Sequence, residues 1–105
     1  MTIAAARRIE VGEASRPVLA RHARLRFDET RQRWVVLVPE RVLAPDDVAI
    51  EILQLCDGTR TIAALIDELA QKYAAERQVI AGDVIELLQD LAGKGFIVNA
   101  REDRP

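Results

Sequence analysis

The sequence predicts an α+β domain, a three-stranded antiparallel sheet followed by a three-helix bundle, and three observations carry that expectation. Apolar runs with strand character precede residue 39, prolyl breaks follow at Pro39 and Pro45, and from Asp46 to Gly95 the apolar residues recur at helical spacing. Half of the 105 residues are hydrophobic, which suits one modest core and one domain.

Residues 1–15, MTIAAARRIEVGEAS, show no sustained period and read as a flexible tail, with a strand exchanged with a second subunit as the alternative. From Leu19 to Phe27, Leu19, Ala23, Leu25 and Phe27 share one face while His22, Arg24 and Arg26 take the other, the period of a half-buried strand. DETRQ then supplies a polar turn and RWVVLV a β-branched partner, so Leu19–Val38 reads as a hairpin that Pro39 ends. A short third strand, Arg41–Ala44, sits between Pro39 and Pro45.

Beyond Pro45, Asp46 or Asp47 can cap a first helix over DDVAIEILQLC, with Asp57-Gly58 marking its end. Thr61 caps a second helix, in which Ile62, Leu65, Ile66, Leu69 and Tyr73 form an amphipathic stripe. Asp83-Val84-Ile85-Glu86 has capping-box spacing with Asp in the Ser/Thr place; it opens a third helix that Gly95 ends before FIVN, a possible last strand. On the third helix Val84, Ile85, Leu87, Leu88, Leu91 and Ala92 span an arc of about 160°, wider than the roughly 100° that buries one face.

Charge and composition exclude several function classes. One cysteine, Cys56, allows no internal disulfide, and no set of Cys and His residues is spaced for zinc; cytoplasmic residence and no metal are expected. No apolar run reaches the roughly 18 residues of a membrane span. Candidates for catalysis are His22, Cys56, Tyr73 and scattered carboxylates, which do not converge; His22 reads as a solvated residue on an Arg-rich strand and Cys56 as a small hydrophobe on the first helix's buried stripe. The five glycines are isolated and form no phosphate loop, so no enzyme and no cofactor are expected.

Fifteen basic against 17 acidic residues give a net charge of −2, with Arg7, Arg8, Arg16, Arg21, Arg24, Arg26, Arg31, Arg33 and Arg41 all in the first 41 positions. The two halves are expected to present faces of opposite charge. Three helices joined to strands are winged-helix-like in outline, which raises a DNA-binding regulator as the alternative. Its third helix would carry Asp83, Glu86 and Asp90 toward phosphate, however, so no nucleic acid is expected. Arg41–Ala44 is the edge of the sheet beside an over-wide apolar helix face, a geometry that accepts an extended peptide; an edge kept short by prolines against aggregation is the bland alternative.

RPVLARHARLRFDETRQRWVVLVPERVL, ILQLCDGTRTIAALIDELAQKY and DVIELLQDLAGKGFI together resemble the PqqD family, the small peptide chaperones of pyrroloquinoline quinone (PQQ) biosynthesis. The most specific portions are RFDETRQRWVVLVPERV and LCDGTRT, and the resemblance runs from about Arg16 to Val98. It implies a recognition domain over residues 16–98, a C-terminal tail over 99–105, and a module that binds the precursor peptide PqqA and presents it to the radical SAM enzyme PqqE. In related modules the peptide adds to the third strand and lies against the third helix. Carried onto this chain, that implies a site of Arg41, Val42, Leu43 and Ala44 with Ile85, Leu88, Gln89 and Ala92. Either the Ile85/Ala92 or the Leu87/Leu91 edge of the arc faces the groove on this reading. The Arg24, Arg26 and Arg33 face is expected to lie away from the peptide and to contact the enzyme, and a free edge strand permits a homodimer.

Overall fold

The chain alternates its punctuation and its apolar runs in a way that the three-dimensional structure follows closely. A computed structural model describes residues 11–100. In it the elements are Pro17–Leu19 (β1), Arg24–Asp28 (β2), Arg33–Val38 (β3), Arg41–Leu43 (β4), Asp47–Gln54 (α1), Ile62–Tyr73 (α2), Arg77–Gly93 (α3) and Ile97–Asn99 (β5). The order β2-β3-β4 makes a three-stranded antiparallel sheet, and β1 and β5 pair separately. The expected α+β architecture of three antiparallel strands followed by three helices is present.

β3 is central because it is apolar along most of its length and half of it is β-branched. Leu25, Val36 and Leu43 pair across the inner face, and Arg24, Leu37 and Val42 across the outer one. The β2–β3 turn lacks glycine, and Asp28 replaces it: its Oδ1 accepts the backbone N–H groups of Thr30 at 3.0 Å and Arg31 at 3.2 Å. Between β3 and β4, Pro39 followed by Glu40 at φ 67° makes a two-residue reversal of type II character.

One strand expected over Leu19–Phe27 is two. Ala20 N–H donates to the Phe96 carbonyl at 2.8 Å and Ala23 N–H to that of Ala20 at 2.9 Å, so the chain turns through Arg21-His22 between β1 and β2. Ala20 and Ala23 are both buried, and their small side chains let that turn tuck against the core. Their spacing imitated strand alternation. β1 instead pairs antiparallel with β5, Val18 opposite Val98, and the Pro17 carbonyl accepts from Gly58 N–H at 2.9 Å. Gly58 sits at φ 84°, which favours glycine, and a Cβ there would lie 3.2 Å from that of Ala100, close enough that the neighbour would have to shift.

Asp46 caps α1, its Oδ1 accepting from Ala49 N–H at 2.8 Å, and Thr61 caps α2 through Ala64 N–H at 3.1 Å. Cys56 lies beyond the end of α1 rather than on it, but is buried as expected. Tyr73, expected on the buried stripe, is 51 % exposed; its hydroxyl donates to the Glu51 carboxylate, which also pairs with Lys72.

α3 begins at Arg77, not at Asp83, and its N-cap Glu76 makes no side-chain capping bond. Arg77 anchors that start, bonding Asp67 at 2.5 Å and Glu13 at 2.7 Å. Glu13 belongs to residues 11–15, which were expected in a tail but are held on the domain: the carbonyls of Ser15 and Glu13 accept the N–H groups of Ile62 and Ala63, both at 2.9 Å. These are first-turn donors of α2 with no intrahelical partner, which explains why the segment docks there. Asn99, placed by expectation in the C-terminal tail, is the last residue of β5; the rest of both expected tails, residues 1–10 and 101–105, lies outside the described residues.

The core gathers Ile62, Leu65 and Ile66 of α2, Val84 and Leu88 of α3, Ile52 and Leu53 of α1, Val36 and Val38 of β3, and Ile97. Leu88 has 0 % exposure. Leu88→Ala is therefore expected to lower the unfolding free energy by about 2–5 kcal/mol, read as a shifted urea midpoint at unchanged slope.

Candidate peptide-binding site

β4 is paired on one side only. The two-residue loop makes Val38 and Arg41 the hydrogen-bonded closing pair, so alternation turns the N–H and C=O of Val42 toward the open edge. No further strand lies beyond it among the described residues, and the Val42 side chain is 49 % exposed.

Two contacts align this edge with α3. At the start of β4, the Arg41 guanidinium lies over the Phe96 ring, 6.0 Å from its centroid, just past the C-terminal end of α3. At the other end the chain passes through Pro45 to Asp46, which lines a groove with Asp83, Glu86, Leu87 and Asp90 of α3. That groove, about 680 Å³, has an apolar floor of Val48, Ala49, Ile52 and Leu87. Four carboxylates rim it. Asp46 is committed to its cap and Asp90 to Lys94 at 3.0 Å, whereas Asp83 and Glu86 form no ion pair among the described residues.

A smaller hollow of about 220 Å³ adjoins the groove, sharing Val48, Ile52 and Asp83 and adding Leu69, Ile80 and Tyr73. Its mouth is held by Glu51, whose carboxyl lies below its ordinary range because Lys72 and then Tyr73 hydrogen-bond it. The arrangement suits apolar side chains entering from an extended segment, with the rim favouring cationic or N–H-rich neighbours.

The residues expected at the site divide into two sets. Arg41 and Val42 are exposed on β4, Leu43 is half-buried toward the core, and Ala44 follows the strand. On α3, Leu88 cannot touch a ligand, because it is wholly inside the core. Ile85 and Ala92 are half-buried, and with Gln89 they lie on the flank opposite the groove; Gln89 Oε1 accepts the Val11 N–H at 3.0 Å. The groove is bordered by the Leu87 flank. Helical spacing defines the arc but not its orientation, which is set by the docking of residues 11–15 on the other side. Val48 was missed as well: it is 58 % exposed on the groove floor, and the sequence signal for it was an apolar residue standing off the Ala49-Ile52-Leu53 stripe.

Arg33 also differs from expectation. Its guanidinium reaches the carbonyls of Pro45 at 2.9 Å and Ala44 at 3.4 Å, so it braces the β4–α1 junction beside the edge instead of lying away from it. Among the described residues no group of His, Cys, Asp and Glu is arranged to hold a metal ion, and no helix is long and apolar enough to cross a membrane.

A family model described as coenzyme PQQ synthesis protein D (PqqD) matches residues 33–97, the span from β3 to the start of β5 that builds this edge and groove. The chain belongs to the PqqD family. Among its PqqD relatives, the PqqA binding protein of Rhodopseudomonas palustris (strain BisB5) is 67 % identical over 101 residues, 96 % of this chain and 99 % of that one. The PqqA binding protein of Bradyrhizobium diazoefficiens is 61 % identical over 95 % of this chain and 97 % of its own. In structure, the chain superimposes with a TM-score of 0.72 and 37 % identity on the PqqD truncation of Methylobacterium extorquens PqqCD, covering 85 % of this chain and 95 % of the other. That NMR structure represents a functional, stand-alone recognition element for ribosomally synthesized and post-translationally modified peptides.

The single cysteine of this PqqD-family chain, Cys56, is buried. Burial pushes the Cys56 thiol up to about 12, with the neighbouring Asp57 charge adding to the effect. Iodoacetamide at pH 8 is expected to leave the native thiol unmodified and to label it fully in denaturant, as mass spectrometry would show. Because the folded thiol keeps its proton above the ordinary value of 9.0, the unfolded chain binds fewer protons there, and stability should fall as pH climbs from about 9 toward 12.

Proposed function

We propose that this chain binds the precursor peptide PqqA by strand addition at β4 and presents it to the radical SAM enzyme PqqE in the cytoplasm, doing no chemistry of its own. The observation that carries this reading is the unpaired Val42 edge, from which the chain runs through Pro45 to Asp46 at the rim of a groove with an apolar floor, in a chain whose relatives are PqqA binding proteins. Its most natural rival use is pairing with the same edge of a second copy. A DNA-binding role is opposed by charge, since Asp83, Glu86 and Asp90 occupy the exposed flank of α3.

Energetics shape the mechanism. Ordering about ten residues of a flexible peptide costs on the order of 10–20 kcal/mol in backbone entropy, whereas each strand hydrogen bond returns about 0.5–1.5 kcal/mol. Backbone pairing sets register, and apolar side chains in the groove supply the remainder at about 25 cal/mol per Å² buried. An affinity around micromolar or somewhat tighter, about −8 kcal/mol, is expected, which suits a peptide that must be handed on.

Proline is tolerated where an edge N–H faces outward, so Val42→Pro should fold normally while losing one donor to the peptide. PqqA affinity is expected to fall at least about fivefold, measured by calorimetry with the circular dichroism spectrum unchanged. Leu87→Asp should weaken binding about tenfold or more by placing a carboxylate on the apolar floor. In an amide-shift titration with PqqA, movement confined to sites away from β4 and the Leu87 flank would overturn the proposal.

A further inference from the structure

β3 is apolar on both faces. Val36 and Val38 point inward and join the main core, whereas Val35, at 2 % exposure, faces outward and stands apart from that core. With half-buried Leu37 and exposed Val42 it makes an apolar strip on the face an antiparallel sheet ordinarily gives to polar residues. A shallow hollow of about 360 Å³ lies over it, lined by Arg26, Val35, Leu37 and Val42 together with the β2–β3 turn.

The side chains that flank this strip along β2 are cationic, and the carboxylates of Asp28 and Glu29 stand at its turn end. Arg24 stands opposite Leu37 and Arg26 opposite Val35, both exposed. Arg31 is paired with Asp28 and Arg33 is turned to the Pro45 carbonyl, but Arg24 and Arg26 form no ion pair among the described residues.

We infer that this outer face is a second docking surface, and that its occupant is the enzyme receiving the peptide, which meets it through an apolar side chain set among carboxylates. The inference rests on the proposed function for the identity of that enzyme. Its chemistry follows from the face itself. Two arginines two residues apart on one strand repel each other in the free protein, and an acidic partner relieves that repulsion. A second copy of this chain would bring the same cations to the same patch, which is not self-complementary. Arginines on an edge strand also deter pairing, but that use needs no apolar strip beside them. Val42 belongs to both the strip and the open edge, so a peptide added at β4 extends this face and a protein docked on it reaches the peptide.

The test measures binding of purified PqqE to the wild-type chain and to Arg24→Glu/Arg26→Glu, at low and high salt, with PqqA binding measured on the same proteins. PqqE affinity is expected to drop at least about tenfold and to be salt-sensitive in the wild type, while PqqA affinity stays within about twofold. Arg24→Gln/Arg26→Gln, which removes charge without reversing it, should give an intermediate PqqE affinity and guards against a misfolded double variant. Unchanged PqqE affinity, no PqqE binding by the wild type, or conversion of a dimer to a monomer by charge reversal would overturn the inference. Failure of the wild type to bind PqqA would overturn the proposed function and this inference with it.

Discussion

The burial of the α2 stripe is the constraint on which the other elements depend. Ile62, Leu65 and Ile66 are fully excluded from solvent, and three groups meet there: the inner face of β3, the Val84 and Leu88 positions of α3, and Ile97 of β5. Each of these elements is too short or too weakly amphipathic to stand alone in water. Once α2 has taken the centre of α3's apolar arc, two flanks of that helix are left over. Residues 11–15 cover one, tied down by the first-turn donors of α2 and by Arg77, and the Leu87 flank remains beside α1 as the wall of a groove.

The same logic explains why the sheet is open where it is. Pro39-Glu40 reverses the chain tightly and Pro45 stops it, so β4 has no length with which to recruit another strand from its own chain. Arg33 then fixes the carbonyls at the exit of β4, and Asp46 begins α1 at once. An edge that is short, braced at both ends and bordered by a groove is protected against indiscriminate pairing yet leaves one backbone donor and acceptor, those of Val42, available to a partner that also fills the groove. Charge separates the two surfaces further, with carboxylates around the groove and arginines over the outer sheet face.

Much of this was legible in the residues. The Thr61 and Asp46 caps, the α2 stripe, the hairpin and the brevity of β4 are all local decisions, made by capping chemistry, periodicity and proline. The failures share a cause. Ala20 and Ala23 read as strand alternation because alanine is small enough for either a strand or a buried turn, and only the Ala20 bond to the Phe96 carbonyl chooses. The start of α3 carried no capping residue to read, since a distant ion pair with Glu13 holds it. Tyr73 fitted the stripe by spacing, but the last turn of α2 overhangs the core and its hydroxyl found Glu51.

By itself, then, the sequence determined the β2–β3 hairpin, the three helices and their order, the apolar arc of α3 and the family, because each of these is written in neighbouring residues or in motif identity. Only the tertiary structure decided which flank of that arc is free. Leu87 and Ile85 stand at the two edges of the arc and are equally apolar, yet one lines the groove and the other lies on the opposite flank. Which of them is which depends on where residues 11–15 and α1 dock, contacts tens of residues away along the chain. Local periodicity carries no information about the rotation of a helix within its bundle.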